Sequence, residues 1–319
     1  MLGGDAMLGR GVARVIATRG PAHPLGTLSP LTRQADLFGV NLECAVSARP
    51  RVYRGPKKAF YFRAPPAALE ALTHAGVGLV TLANNHALDA DLEGLGETLQ
   101  ALEARGFAHA GAGAHLEAAR APAVLEVRGV RIGIIACCDH QPDFAARPAR
   151  PGTHYVNPHD PKALARLLQG VADLAERVDH VIVSYHWQAN WVPAPAPVYR
   201  TLGHSLLEAG ARVVWGHGPH HFQGVEWAEG GVILYATGDL LDDYAVHPHF
   251  RNDRQLLFEV ELTPQGPTAV RAYPLVLEFG RTWFATGPEQ AWILERFAEA
   301  CRIVKSRVEA AGPALRVLP

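Results

Sequence analysis

Short apolar runs alternate with stretches of helical spacing along most of the chain. The runs at 38–43 (FGVNLE), 77–83 (VGLVTLA), 130–138 (VRIGIIACC), 180–186 (HVIVSYH), 211–217 (ARVVWGH) and 231–239 (GVILYATGD) predict strands. Between them, 66–76, 92–106, 161–178 and 198–210 have helical spacing, and several of these stretches end at a glycine, as a C-terminal cap requires. Strand and helix in alternation predict a layered α/β fold. Farther on, 256–263 and 268–278 flank the turn sequence PQGP and predict an antiparallel hairpin. A final helix is expected over 288–310, with Trp292, Leu294, Phe297 and Ile303 among its packing candidates. The Pro- and Arg-rich loop at 141–153 resembles a linker but is too short to separate domains. The expected organisation is one domain over 1–286, with a helix and tail at 287–319 packing on it. Only Met1 to Gly4 precede Asp5, so the first strand is expected to be largely missing and an apolar strand is expected upstream.

Polar residues gather where these runs end. Asp5 follows the short N-terminal segment, Glu43 closes one run, and Asn84, Asn85 and His86 follow the next. His186 and His217 close two more, with His220 and His221 just beyond. Taken singly, each could be a capping or loop group, and His186 could as well be a satisfied core histidine. Together they favour a metal site, because layered α/β folds bring the carboxyl ends of strands to one place. Carboxylates, an asparagine oxygen and imidazoles suit divalent manganese, iron, zinc or cobalt. A central carboxylate could bridge two ions about 3.5–4 Å apart.

Composition narrows the partners. Hydrophobic residues at 48% and charged residues at 19% are ordinary for a globular chain. Thirty Lys+Arg against 31 Asp+Glu leave no strong field to gather nucleic acid, so none is expected as a partner. The 16 histidines point to imidazole rather than thiolate ligation. Four cysteines without a CxxC pair, two of them the adjacent Cys137 and Cys138, read as reduced thiols in a cytosol-like compartment. There is no apolar run of about 18 residues and no basic-then-apolar leader, so the chain as given reads as soluble or cytoplasmic.

The order of motifs resembles the CapA family, capsule or poly-γ-glutamate synthesis proteins with a calcineurin-like metallophosphatase fold. The matching segments are GGDAMLGRG, ADLFGVNLECAVS, FYFRAPPAALEAL, TLANNHALDAD, VSYHWQANW and GHGPHHFQGVEWAEGGVILYATGD, in that order. The resemblance implies a four-layer αββα sandwich with ligands at the C-terminal ends of strands. It implies one or two divalent transition-metal ions held by Asp5, Glu43, Asn85, His186, His217 and His220. His86 would contact the phosphoryl group and protonate the leaving oxygen, with Asp89 orienting it. Arg10 and Arg63 would clamp an anion, and Asn84 would brace the loop beside the substrate. Many relatives carry a membrane anchor before the first motif. Three positions depart from the pattern: Met7 stands where a first-motif histidine is usual, Asn190 where glutamate is common, and Asp239 where the usual residue is neutral.

Two functions compete. The first is a metal-dependent phosphoesterase-type hydrolase acting on a small or polymeric anion. The second is a non-catalytic accessory protein of capsule or poly-γ-glutamate assembly that binds polymer or synthase. Retention of His86 and Asp89 favours the first; Met7 and Asn190 favour the second. A single-zinc amidohydrolase would need a different motif order.

Overall fold

The computed structural model describes residues 1–228 and 230–318. Among the described residues the strands form two large sheets and two short two-stranded pairs, a mixed α/β fold. The larger sheet is parallel through Leu2–Ala6, Gly39–Leu42, Leu79–Thr81 and Ala108–Ala110. It continues antiparallel from Leu2–Ala6 through Arg254–Thr263, Gly266–Glu278, Ala314–Leu318 and Arg307–Ala311. The second sheet is parallel through Val130–Cys138, His180–His186, Ala211–His217 and Gly231–Leu234, with antiparallel edges Ala123–Val127 and Val225–Ala228.

Three cores hold these elements. Leu2, Leu79 and Phe258 from the larger sheet share one cluster with Ile134, Ile182, Val213 and Trp215 from the second. The Trp215 indole also donates to the Gly3 carbonyl at 3.1 Å, tying the sheets together. The other face of the larger sheet buries Val40, Leu42 and Val80 with Val12, Leu72 and Leu95 from the helices Arg10–Arg19, Glu70–Ala75 and Asp91–Glu103. A third cluster joins Val181, Val183 and Val214 to Val171, Leu174 and Leu206 of the helices Pro161–Ala175 and Pro197–Glu208. Local sequence explains these helices. Asp160 caps Pro161–Ala175 by accepting from the Lys162 amide, proline occupies its first position, and its apolar residues recur at three- and four-residue intervals.

The parallel runs at 130–138, 180–186 and 211–217 are strands over those same residues. Three expectations change. Leu2–Ala6 is a fully buried five-residue strand between three partners, so the first strand is present. The run at 231–239 is not one strand: Gly231–Leu234 ends in the second sheet, and the chain turns at Gly238, φ +70°, to place Asp239–Leu241 beside Leu2–Ala6 in the other sheet. The last helix is Gly287–Ile303. Beyond it, Arg307–Ala311 and Ala314–Leu318 form a hairpin at Gly312-Pro313 that pairs Val308 with Val317. The alternating Val308, Ala310, Leu315 and Val317 have the period of a strand, which outweighs the helical reading of 304–310. No helix among the described residues is long and apolar enough to cross a membrane.

Candidate metal centre

The site forms where the parallel strands of both sheets end. Asp5 and Asp239 are register partners on adjacent parallel strands, and Glu43 directly follows Gly39–Leu42. His217 ends its strand, and His220 follows on a turn in which it takes φ +60°. Asp5, Glu43, His220 and Asp239, all buried, offer ligand atoms within 4.8 Å of one another. Close backbone approach makes this possible: a Cβ on Gly4 would lie 2.0 Å from the Gly238 carbonyl oxygen, so only glycine lets the two strands meet there.

Each of the three carboxylates has one oxygen engaged and one open. Asp5 Oδ1 accepts from Asn41 Nδ2 at 2.7 Å, Glu43 Oε2 from the Tyr244 hydroxyl at 3.1 Å, and Asp239 Oδ1 faces His220 Nδ1 at 2.9 Å. Asp5 Oδ2, Glu43 Oε1 and Asp239 Oδ2 are buried and accept no hydrogen bond from the described residues. Burial pushes the Glu43 and Asp239 carboxyls well above the usual range, and neighbouring carboxylates add to it. Burial likewise lifts Asp242 to about 6. Asp5 goes the other way: burial would raise it, but the His217 hydrogen bond and the imidazoles of His186, His217 and His220 hold it below the usual range. Buried acids so close, with open oxygens, fit a divalent cation.

Two of the remaining expected ligands, His186 and His217, border this group. His186 Nε2 stands 3.9 Å from Glu43 Oε1, and its Nδ1 lies 3.3 Å from Asn41. His217 Nδ1 is 3.3 Å from Asp5 Oδ1, while its Nε2 faces the Ser184 hydroxyl at 3.2 Å. Asn85 Oδ1 is buried without a partner among the described residues. Met7 is fully buried, and its sulfur accepts from the Gly9 amide at 3.1 Å.

His86 has Nδ1 on Asp89 Oδ2 at 2.5 Å and its ring stacked on Phe62 at 3.9 Å. Burial lowers its pKa to about 4, against the pull of Asp89. Lys58 reaches the same point, bonding Asp89 Oδ1 at 2.5 Å and the Asn85 carbonyl. Burial lowers the lysine's pKa, and Asp89 opposes that shift.

Asn84 is tied into the loop. It is fully buried, its amide donates to Asn41 Oδ1 and the Leu42 carbonyl, and its oxygen accepts from the His86 amide. Arg10 pairs with Asp243 at 3.2 Å and lies over the Phe62 ring at the rim. Arg63 donates to the Arg49 carbonyl. Sequence reasoning missed Lys58, Asn41, Tyr244 and the membership of Asp239. Only Asp239 carried a signal, as an acid at the end of an apolar run.

The description "Bacterial capsule synthesis protein PGA_cap" matches residues 1–244. The chain belongs to this family. Among curated relatives, a probable polyglutamine synthesis accessory protein of Mycobacterium tuberculosis is 32% identical, covering 88% of this chain and 84% of that one. The capsule biosynthesis protein CapA of Bacillus anthracis is 26% identical over 87% of this chain and 67% of its own length. The PGA biosynthesis protein CapA of Bacillus subtilis is 28% identical over 75% and 62%. Asp5, Glu43, the Asn84–His86 run, His186, His217 and His220 all lie within the matched residues.

Proposed function

We propose that this PGA_cap protein is a metal-dependent hydrolase of the phosphoesterase type, serving capsule or poly-γ-glutamate synthesis together with that machinery. The observation that carries the reading is the set of buried carboxylates, each with one unpartnered oxygen, beside the His86–Asp89 pair. A four-layer αββα arrangement of the metallophosphatase kind accounts for the two sheets sharing one core and the helical clusters on their other faces. The helix Gly287–Ile303 belongs to the same unit, since Ile293, Phe297 and Cys301 join the core between the sheets.

Asp5, Glu43, Asn85, His186, His217 and His220 would hold one or two divalent ions. Such an ion supplies Lewis-acid polarisation of a phosphoryl group. The chain's own residues do the rest. Asp89 fixes His86 through Nδ1, which leaves Nε2 to hold the proton destined for the leaving oxygen. Burial favours the neutral ring, and an anionic substrate against it offsets that penalty, so proton uptake accompanies substrate binding. Phe62 packs on the ring and keeps water from that face. Arg10 at the rim is placed to meet an anion.

The buried Met7 and the word "accessory" in a relative's name favour a second reading, a non-catalytic polymer- or synthase-binding role. Elemental analysis of untagged protein and a phosphoester screen separate the two. For the hydrolase, H86A abolishes turnover with metal content unchanged, while N85A and E43A lower metal content. Bound metal with no turnover on any phosphoester supports the accessory role, and absence of metal after reconstitution with manganese or zinc removes the hydrolase reading.

A further inference from the structure

Asp239 is the one acid of the cluster that arrives by a change of sheet. Its strand leaves the second sheet at Gly238 and pairs with Leu2–Ala6, which sets its carboxylate level with Asp5. The residue is fully buried, and no lysine or arginine forms an ion pair with it among the described residues. Its Oδ1 is spent on His220 Nδ1, which leaves the Nε2 face of that ring toward Glu43 Oε1 at 4.0 Å. Its Oδ2 accepts no hydrogen bond among the described residues, and the carboxyl that neighbours it, Asp242, is also buried with an open oxygen. An orienting carboxylate would need only the first contact. The second, open oxygen beside two others calls for a cation.

We propose that Asp239 is itself a metal ligand: Asp239 Oδ2, Asp5 Oδ2, Glu43 Oε1 and His220 Nε2 make a three-carboxylate, one-imidazole position suited to manganese(II). The inference rests on the two-ion form of the metal-centre reading, which leaves Asn85, His186 and His217 to the other ion, and adds both a ligand and a metal class. Oxygen-rich donor sets suit hard cations such as manganese and magnesium, whereas imidazole-rich sets suit zinc. The carboxylate also makes up for Met7, whose buried thioether bonds the Gly9 amide and is a soft donor ill-suited to such an ion.

The test is equilibrium dialysis of wild type and D239N against manganese(II), with elemental analysis and circular dichroism as a fold control. Asparagine keeps an acceptor for His220 Nδ1 but removes the charge, so it separates a ligand from an orienting group. The expected result is loss of one manganese equivalent, with a smaller change for zinc. Wild-type stoichiometry and affinity in D239N would overturn the assignment of Asp239 alone. No manganese binding by the wild type would overturn the metal-centre reading with it. Should D239N fail to fold, pulsed EPR of wild type carrying one manganese equivalent decides: one imidazole nitrogen coupling is expected, and two or more overturn the ligand set.

Discussion

His154 shows what burial does to a single imidazole away from the metal centre. It is 8% exposed, its Nδ1 lies 3.2 Å from the Ala136 carbonyl and so must donate, and burial pushes its pKa down to about 4. The unfolded chain binds a proton near pH 6.5. The folded state therefore binds fewer protons between those values, and stability present above about pH 6.5 is lost as pH falls toward 4, by roughly 3 kcal/mol. Urea unfolding of wild type and H154Q at pH 7.5, 5.5 and 4.5 should show the mutant losing less on acidification. Parallel losses would assign the acid sensitivity elsewhere. At this scale the sequence was partly legible. Asn84, Asn85 and His86 stood out because three polar residues directly follow an apolar run. Lys58 did not, because nothing local distinguishes it from Lys57; only the fold brings it to Asp89.

Among the elements, the segment between Val46 and Arg63 is fastened to the site by Lys58, whose ammonium meets the fully buried Asp89, and by the Phe62 amide on the same carboxylate. K58M leaves Asp89 with a buried charge and should cost about 3 kcal/mol, read by chemical unfolding. It should also speed proteolysis within residues 49–61. An unchanged cleavage rate would show that the segment is held by other contacts. G4A acts on the neighbouring feature, since the added methyl must push Leu2–Ala6 away from Gly238. It should destabilise by about 1–3 kcal/mol and lower manganese content, measured by elemental analysis. Strand ends such as those at 138, 186 and 217 were legible from unbroken apolar runs. The switch at Gly238 was not: Gly231 to Asp239 reads as one apolar run, and only a glycine at positive φ reveals the bend.

For the molecule as a whole, a cation held among the buried acids Asp5, Glu43, Asp239 and Asp242 would add to folded stability. Manganese at 100 times its Kd should add about 2.7 kcal/mol, or several degrees in Tm, and a chelator should reverse the gain. A melting curve indifferent to both would argue against a buried ion. The strand–helix alternation announced an α/β protein from the sequence. The division of strands between two sheets was hidden, because apolar runs in either sheet have the same composition and only pairing partners distinguish them.

The pairing of Asp5 with Asp239 sets a schedule for biosynthesis. The first strand lies between partners that come from residues 39–42, 239–241 and 254–263. A ribosome will therefore have made most of the chain before Leu2–Ala6 finds all its neighbours, and such long-range pairing is slow. Until then the N-terminal acids remain in water without their histidines, so a cation held at the proposed site would enter a protein that is already nearly whole.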